Sequence, residues 1–423
     1  MNALPSSQDI TRVELPNGIT VLARPNFHSQ SVIINGYLHA GAIYDPPEKL
    51  GLADFTADML LNGTHTRDYH TIHNLLETAA ASLGFSANIH TTSFSGRSLV
   101  EDLDLLLELL HDAVQTPTFP DEQITRLRAR ALTNHALREQ SAGAQAAIAF
   151  DQIVYAGHPY AHPTDGYAET ITRITREDIA AFHRAHYGPK GMTITIVGGI
   201  EPAKAVEKVA KWLGKWTNPE QVEIASLPEY RPPQESTTRV IEIPDKSQAS
   251  IVVGTWGPTR HDPKFMAASL GNHVLGQFGL NGRIGEVVRE RAGLAYAAYS
   301  AISAGIGPGT WSVSAGVAPE NVDAAIQLIL REIARFVEGG ITTEELTDSQ
   351  ANYIGSLPLT MESNAGVAAS LSSIERYQLG LDYYTQYEAQ VNAVRPEDVQ
   401  TIAQKYLNPS TMTITIAGPS GIG

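Results

Sequence analysis

Asp54 and Asp58 stand four residues apart in GLADFTADMLLNGT (51–64), the spacing that puts two carboxylates on one face of a helix. Two hard oxygens without an imidazole suit zinc poorly and fall short of calcium's usual oxygen count, so the pair reads as two solvated or salt-bridged aspartates. Ala57, beside them, has only a methyl group and accepts no proton. His65, His70 and His73 follow, with Glu77 one helical turn beyond His73. They reproduce no zinc-ligand spacing and read as surface or capping side chains. His158 and His162 lie in YAGHPYAHPTDG, whose prolines and glycine describe a structural loop. Gly276, Gly279 and Gly282 in LGQFGLNGR describe a loop or plain turn, without the GKS or GKT of a phosphate-binding loop. With Cys 0 there is no thiolate nucleophile, disulfide or cysteine–zinc site.

The elements that must position these residues are organised by a repeat. The segment from 174 reads ITREDIAAFHRAHYGPKGMTITIVGG and that from 394 reads VRPEDVQTIAQKYLNPSTMTITIAGP, matched with a shift of 220 residues. Each unit is an acidic helix start, an amphipathic helix, a Pro-containing turn and an alternating β-branched strand, so the chain predicts two homologous domains. We expect the first at 1–217, a Pro- and Glu-rich linker at 218–238, and the second at 239–423. In the first, the Asn17-Gly18 turn predicts a hairpin over 13–24, followed by a strand at 31–40. Helices are expected at 51–61, 72–81, 101–114, 121–139 and 144–155, with a strand near 86–94. In the second we expect strands at 249–255, 294–304 and 310–317, helices at 264–275 and 283–291, and two long helical regions before the closing repeat. Gly293 is placed to end the 283–291 helix in the left-handed conformation, leaving Arg289 in its last turn and Tyr296 early in the next strand.

Length and composition fit a globular protein of two domains. Lys and Arg number 30 against 45 Asp and Glu, a formal charge of −15 that repels phosphate backbones and anionic lipid. Neither nucleic acid nor membrane is expected as a partner. The polar start of the chain predicts a cytoplasmic location, or a periplasmic one if a signal peptide was removed.

Segment 51–64 resembles the zinc-site helix of the insulinase/pitrilysin (M16) metallopeptidase family, which includes mitochondrial-processing-peptidase-like members. Its Gly, Leu, Ala, Phe, Met, Leu, Gly and Thr frame is intact, but Asp54, Ala57 and Asp58 replace the two histidines and the glutamate of HxxEH. The family's third ligand, a Glu about 75 residues further on, falls on or very near Asn134. The segment LNGRIGEVVRERAGLAYAAYS resembles the one through which the family's non-zinc half contributes an Arg and a Tyr, here Arg289 and Tyr296. The strand near 86–94 corresponds to the family's sheet edge, where peptides add.

The resemblance implies an α+β fold of two M16-type (LuxS/MPP-like) domains, each a mainly antiparallel sheet with packed helices. It implies a non-catalytic subunit that binds no metal and no cofactor, paired with a homologous HxxEH-bearing subunit that holds the zinc. The substrate would be a peptide or unfolded protein, with Arg289 and Tyr296 acting in trans on the partner's centre. The alternative is a proteolytically inactive assembly subunit of the respiratory-complex core-protein type. Hydrolysis by this chain alone would need a nucleophile or base constellation that the sequence does not contain.

Overall fold

The computed structural model describes residues 4–422. β1 (Thr11–Glu14) and β2 (Thr20–Pro25) form the expected hairpin, with Gly18 at φ +91° in its turn. After β3 (Ser31–Leu38) come α1 (Leu52–Met59) and α2 (Tyr69–Thr78), the latter capped by Asp68 accepting from Thr71 N at 2.8 Å. β4 (Ser82–Ala87) and β5 (Thr92–Leu99) correct the expected strand near 86–94, whose middle is the turn between two strands. Then follow α3 (Leu103–Gln115), α4 (Asp121–Glu139), α5 (Ala142–Val154), α6 (Ala168–Arg173), α7 (Arg176–His186), β6 (Thr193–Gly198) and α8 (Pro202–Leu213).

The later part of the chain contains β7 (Thr237–Glu242), β8 (Ala249–Gly257), α9 (Phe265–Gly276), α10 (Phe278–Gly285), β9 (Ala295–Ser303) and β10 (Gly309–Val317). The glycine cluster read as a loop is helical instead, with Gly279 and Gly282 at positive φ within α10. Where two long helical regions were expected, α11 (Val322–Gly339), α12 (Thr343–Thr360), α13 (Asn364–Arg376) and the short α14 (Tyr387–Asn392) precede α15 (Pro396–Tyr406) and β11 (Thr413–Gly418). None of the described helices is long and apolar enough to cross a membrane.

The residues group into two compact units that are not contiguous in sequence: residues up to 135 with 163–226 and 357–386, and residues 136–162 with 227–356 and those from 387 on. The first is built on a six-stranded sheet, β1-β2-β6-β3-β5-β4, in which, among the described residues, only β2 and β6 pair in parallel. Side chains alternate along its strands, so Val21, Ile194 and Ile196 face the main core. Leu22 and Val197 point the other way and are covered by Val367, Leu371 and Ile374 of α13.

The second unit repeats the plan with a five-stranded sheet, β7-β11-β8-β10-β9, again with one parallel pair, β7 with β11. The matched pentapeptides supply equivalent inner strands, β6 and β11, each lying between one parallel and one antiparallel neighbour. The helices laid on them correspond too. Ser372 Oγ on α13 donates to Thr195 Oγ1 of β6 at 2.9 Å, while Thr415 of β11 donates to the Ala146 carbonyl of α5 at 2.8 Å. Both helices start on a serine cap: Ser141 accepts from Ala144 N and Ser363 from Gly366 N.

Candidate functional site

In the first unit, α1 packs its apolar face into the core and leaves Asp54 and Asp58 half-buried, one turn apart on the other face. α4 runs past them. Arg130, on α4, donates from Nη2 to Asp58 Oδ2 at 2.6 Å. Asp54 makes no side-chain hydrogen bond among the described residues. Burial first, then the charges of Asp58 and Asp165, push its carboxyl up to about 7 against the pull of Arg130. Asn134 lies exposed one turn beyond Arg130.

These residues do not fit zinc. The donor set is two carboxylates and an amide, one carboxylate is already held by a guanidinium, and Ala57 supplies no base. Among the described residues, no three His, Asp or Glu side chains stand together as a metal site. Of the histidines after α1, His73 packs its ring 4.3 Å from that of Tyr69. His158 is buried, and its Nδ1 accepts from Tyr160 N at 3.3 Å, capping a short turn as its loop motif predicts.

Arg289 and Tyr296 belong to the second unit, on one short segment built from three departures from regular structure. Arg289 lies in a π-helical stretch, Glu286–Arg291, that continues α10. Gly293, at φ +65°, ends it: its N–H bonds the Arg289 carbonyl at 3.0 Å, and Leu294 N bonds the Val288 carbonyl at 3.0 Å. The chain then enters β9, an edge strand of its sheet. There Ala295 pairs with Val317 and Ala297 with Gly316, so Tyr296 has no partner residue and forms a β-bulge. Its side chain is 86% exposed and makes no hydrogen bond among the described residues. Arg289 is half-buried, with Nε 3.4 Å from Glu290 Oε1. The segment thus presents a phenol and a guanidinium to solvent, two donors able to stabilise an oxyanion.

Beneath the segment is an ion network that sequence reading missed. Arg283 on α10 donates from Nε and Nη2 to the two carboxylate oxygens of Glu345 at 2.7 and 2.6 Å. Glu345 Oε2 also accepts from Thr342 N at 2.8 Å, so the same carboxylate caps α12 and clamps α10. The T-x-x-E pattern at Thr342 was a legible signal for the cap; the arginine was not, because it comes from a different helix.

Comparison with known proteins places the chain. The family model for Insulinase (Peptidase family M16) matches residues 20–163, and that for the Peptidase M16 inactive domain matches residues 173–353. An uncharacterized zinc protease of Streptomyces coelicolor is 24% identical over 417 residues, covering 97% of this chain and 90% of that protein. The probable mitochondrial-processing peptidase subunit beta of Arabidopsis thaliana is 22% identical over 430 residues, covering 99% of this chain and 80% of that protein. Among solved structures, a peptidase M16 inactive domain from Pseudomonas fluorescens matches with a TM-score of 0.91 at 28% identity, covering 97% of this chain and 98% of that one. A protease from Helicobacter pylori, at 20% identity, shares the fold with a TM-score of 0.91, covering 98% of this chain and 100% of that one. Two M16 models matched in order, on two α+β units built to one plan, make this chain, whose sequence contains no HxxEH, a member of the M16 peptidase family.

Proposed function

We propose that this chain is the half of a two-chain M16 peptidase that carries no zinc, and that it lends Arg289 and Tyr296 to an active centre on a homologous HxxEH-bearing partner. One asymmetry carries the proposal. The metal-ligand and base positions of α1 hold Asp54, Ala57 and Asp58, while Arg289 and Tyr296 are present and sit on a π-turn and a bulge that aim them outward. A tyrosine kept for packing would be covered; this one is 86% exposed.

The partner's metal would supply the attacking water for peptide hydrolysis. As negative charge builds on the carbonyl oxygen, the Tyr296 O–H and the Arg289 guanidinium donate hydrogen bonds to it, and the arginine adds a full positive charge. That a relative is named as a processing-peptidase subunit supports a paired role.

The test is to mix the chain with a zinc-bearing partner and follow kcat on a quenched fluorescent peptide, with assembly followed by gel filtration. Arg289→Ala and Tyr296→Phe should each lower kcat about 10²- to 10³-fold and leave assembly intact. An assembled double variant with near-wild-type kcat would instead make the chain a structural subunit of the core-protein kind.

A further inference from the structure

We infer that the cleft between α1, α2, β4 and α4 in the first unit is a binding site for an organic carboxylate, with Arg126 and Arg130 as its receptors. The cleft holds about 320 Å³, the small end of the roughly 300–1,000 Å³ typical of ligand pockets. Arg126 and Arg130, one turn apart on α4, both line it. In a chain of net charge −15 this is a local reversal of sign. Arg126 lies over the Tyr69 ring, 5.4 Å from its centroid, and has no carboxylate at ion-pair distance among the described residues. Arg130 spends one nitrogen on Asp58, and its other N–H groups remain for a ligand.

The remaining walls decide the class of anion. Leu61, Phe85 and Leu127 line the cleft with the arginines, so its occupant needs an apolar body as well as a charged head. A planar carboxylate matches the guanidinium fork with two parallel hydrogen bonds, whereas a phosphate dianion would bring more charge up against Asp58. Two sources share this chemistry: a free small acid, and the C-terminal residue of a peptide. The second is within reach because Phe85 belongs to β4, an edge strand of its sheet. The inference does not depend on any role of Arg289 or Tyr296.

Calorimetric titration of the full chain tests it. N-acetyl-leucine should bind saturably below about 10 mM and N-acetyl-leucinamide should not. Arg126→Ala should weaken binding about tenfold or more, and Asp58→Asn, which frees Arg130 and removes a repelling charge, should tighten it several-fold. Thermal melts would verify that both variants fold. A leucine-ended hexapeptide binding about tenfold more tightly than N-acetyl-leucine, with the gain lost on C-terminal amidation, would identify a chain end as the ligand. Equal affinities would identify a free acid. Equal binding of acid and amide, displacement by inorganic phosphate as effective as by the acid, wild-type affinity in Arg126→Ala, or no saturable binding would each overturn the inference.

Discussion

Arg130 Nη2 lies 2.6 Å from Oδ2 of Asp58, joining α4 to α1. A fixed cation from the protein itself stands beside the carboxylate. Any metal bound there would have to displace it and would still find no imidazole.

The purified chain, dialysed after chelator treatment, should therefore contain far less than one zinc per molecule by elemental analysis. Arg130→Ala should not change this, because Asp54, Ala57 and Asp58 on α1 still offer no imidazole and no base. One tightly held zinc per chain in either protein would contradict the account of the site.

Asp54 links this region to pH. Its carboxyl is raised from 3.8 to about 7, so between these values the folded chain keeps a proton that the unfolded chain has released. The stabilisation is complete below 3.8 and is lost as pH rises through about 7. Asp54→Asn should match wild type in melting temperature near the acid end of that window. At pH 8 it should be the more stable protein, by on the order of 1 kcal/mol. Parallel melting curves across the range would show that Asp54 is not desolvated.

Removing Arg283 should unsettle the segment that carries Arg289. Glu332, only 4% exposed, lies 3.9 Å from Arg283 Nη1 and, once Arg283 is gone, keeps Arg335 at 3.5 Å and the weaker pull of Arg291. Glu345 would lose its bidentate partner. Arg283→Met should cost about 2–4 kcal/mol in denaturant unfolding, and Glu345→Gln less, since its amide oxygen can still cap α12. A near-neutral Arg283→Met would mean the network is not buried enough to matter.

Gly293 separates steric from conformational demands. Open space surrounds the position where a Cβ would project, so a substitution there meets only the cost of φ +65°. Gly293→Asn should be nearly neutral, while Gly293→Val should cost about 1–2 kcal/mol. In the mixed enzyme, valine should also depress kcat by moving Arg289 relative to Tyr296. Equal stability of the two variants would refute a left-handed requirement.

The local parts of this architecture were readable and the non-local parts were not. The repeated Met-Thr-Ile-Thr-Ile segments and the Asn17-Gly18 turn are set by neighbours in sequence, and they form the equivalent strands and the hairpin expected of them. Gly293 likewise ends its helix as its position predicts. α8 was readable but overlooked: Pro202 opens it, and Ala205, Val209 and Leu213 recur every fourth residue on its buried face. The bulge at Tyr296 could not be read, because a bulge exists only in register with another strand, here β10. Nor could the Arg130–Asp58 pair, whose members come together only when two helices pack.

The exchange of α5 and α13 between the two sequence halves means that a single repeat is not a self-sufficient folding entity. Cut near 218–238, the first half would keep α5 without β8 and β11 to cover, and would leave Leu22 and Val197 bare where α13 had lain. Such a fragment would be obliged to find a second copy before its apolar face was shielded from water. Joining two repeats in one chain supplies that second copy at an effective concentration that dilution cannot lower.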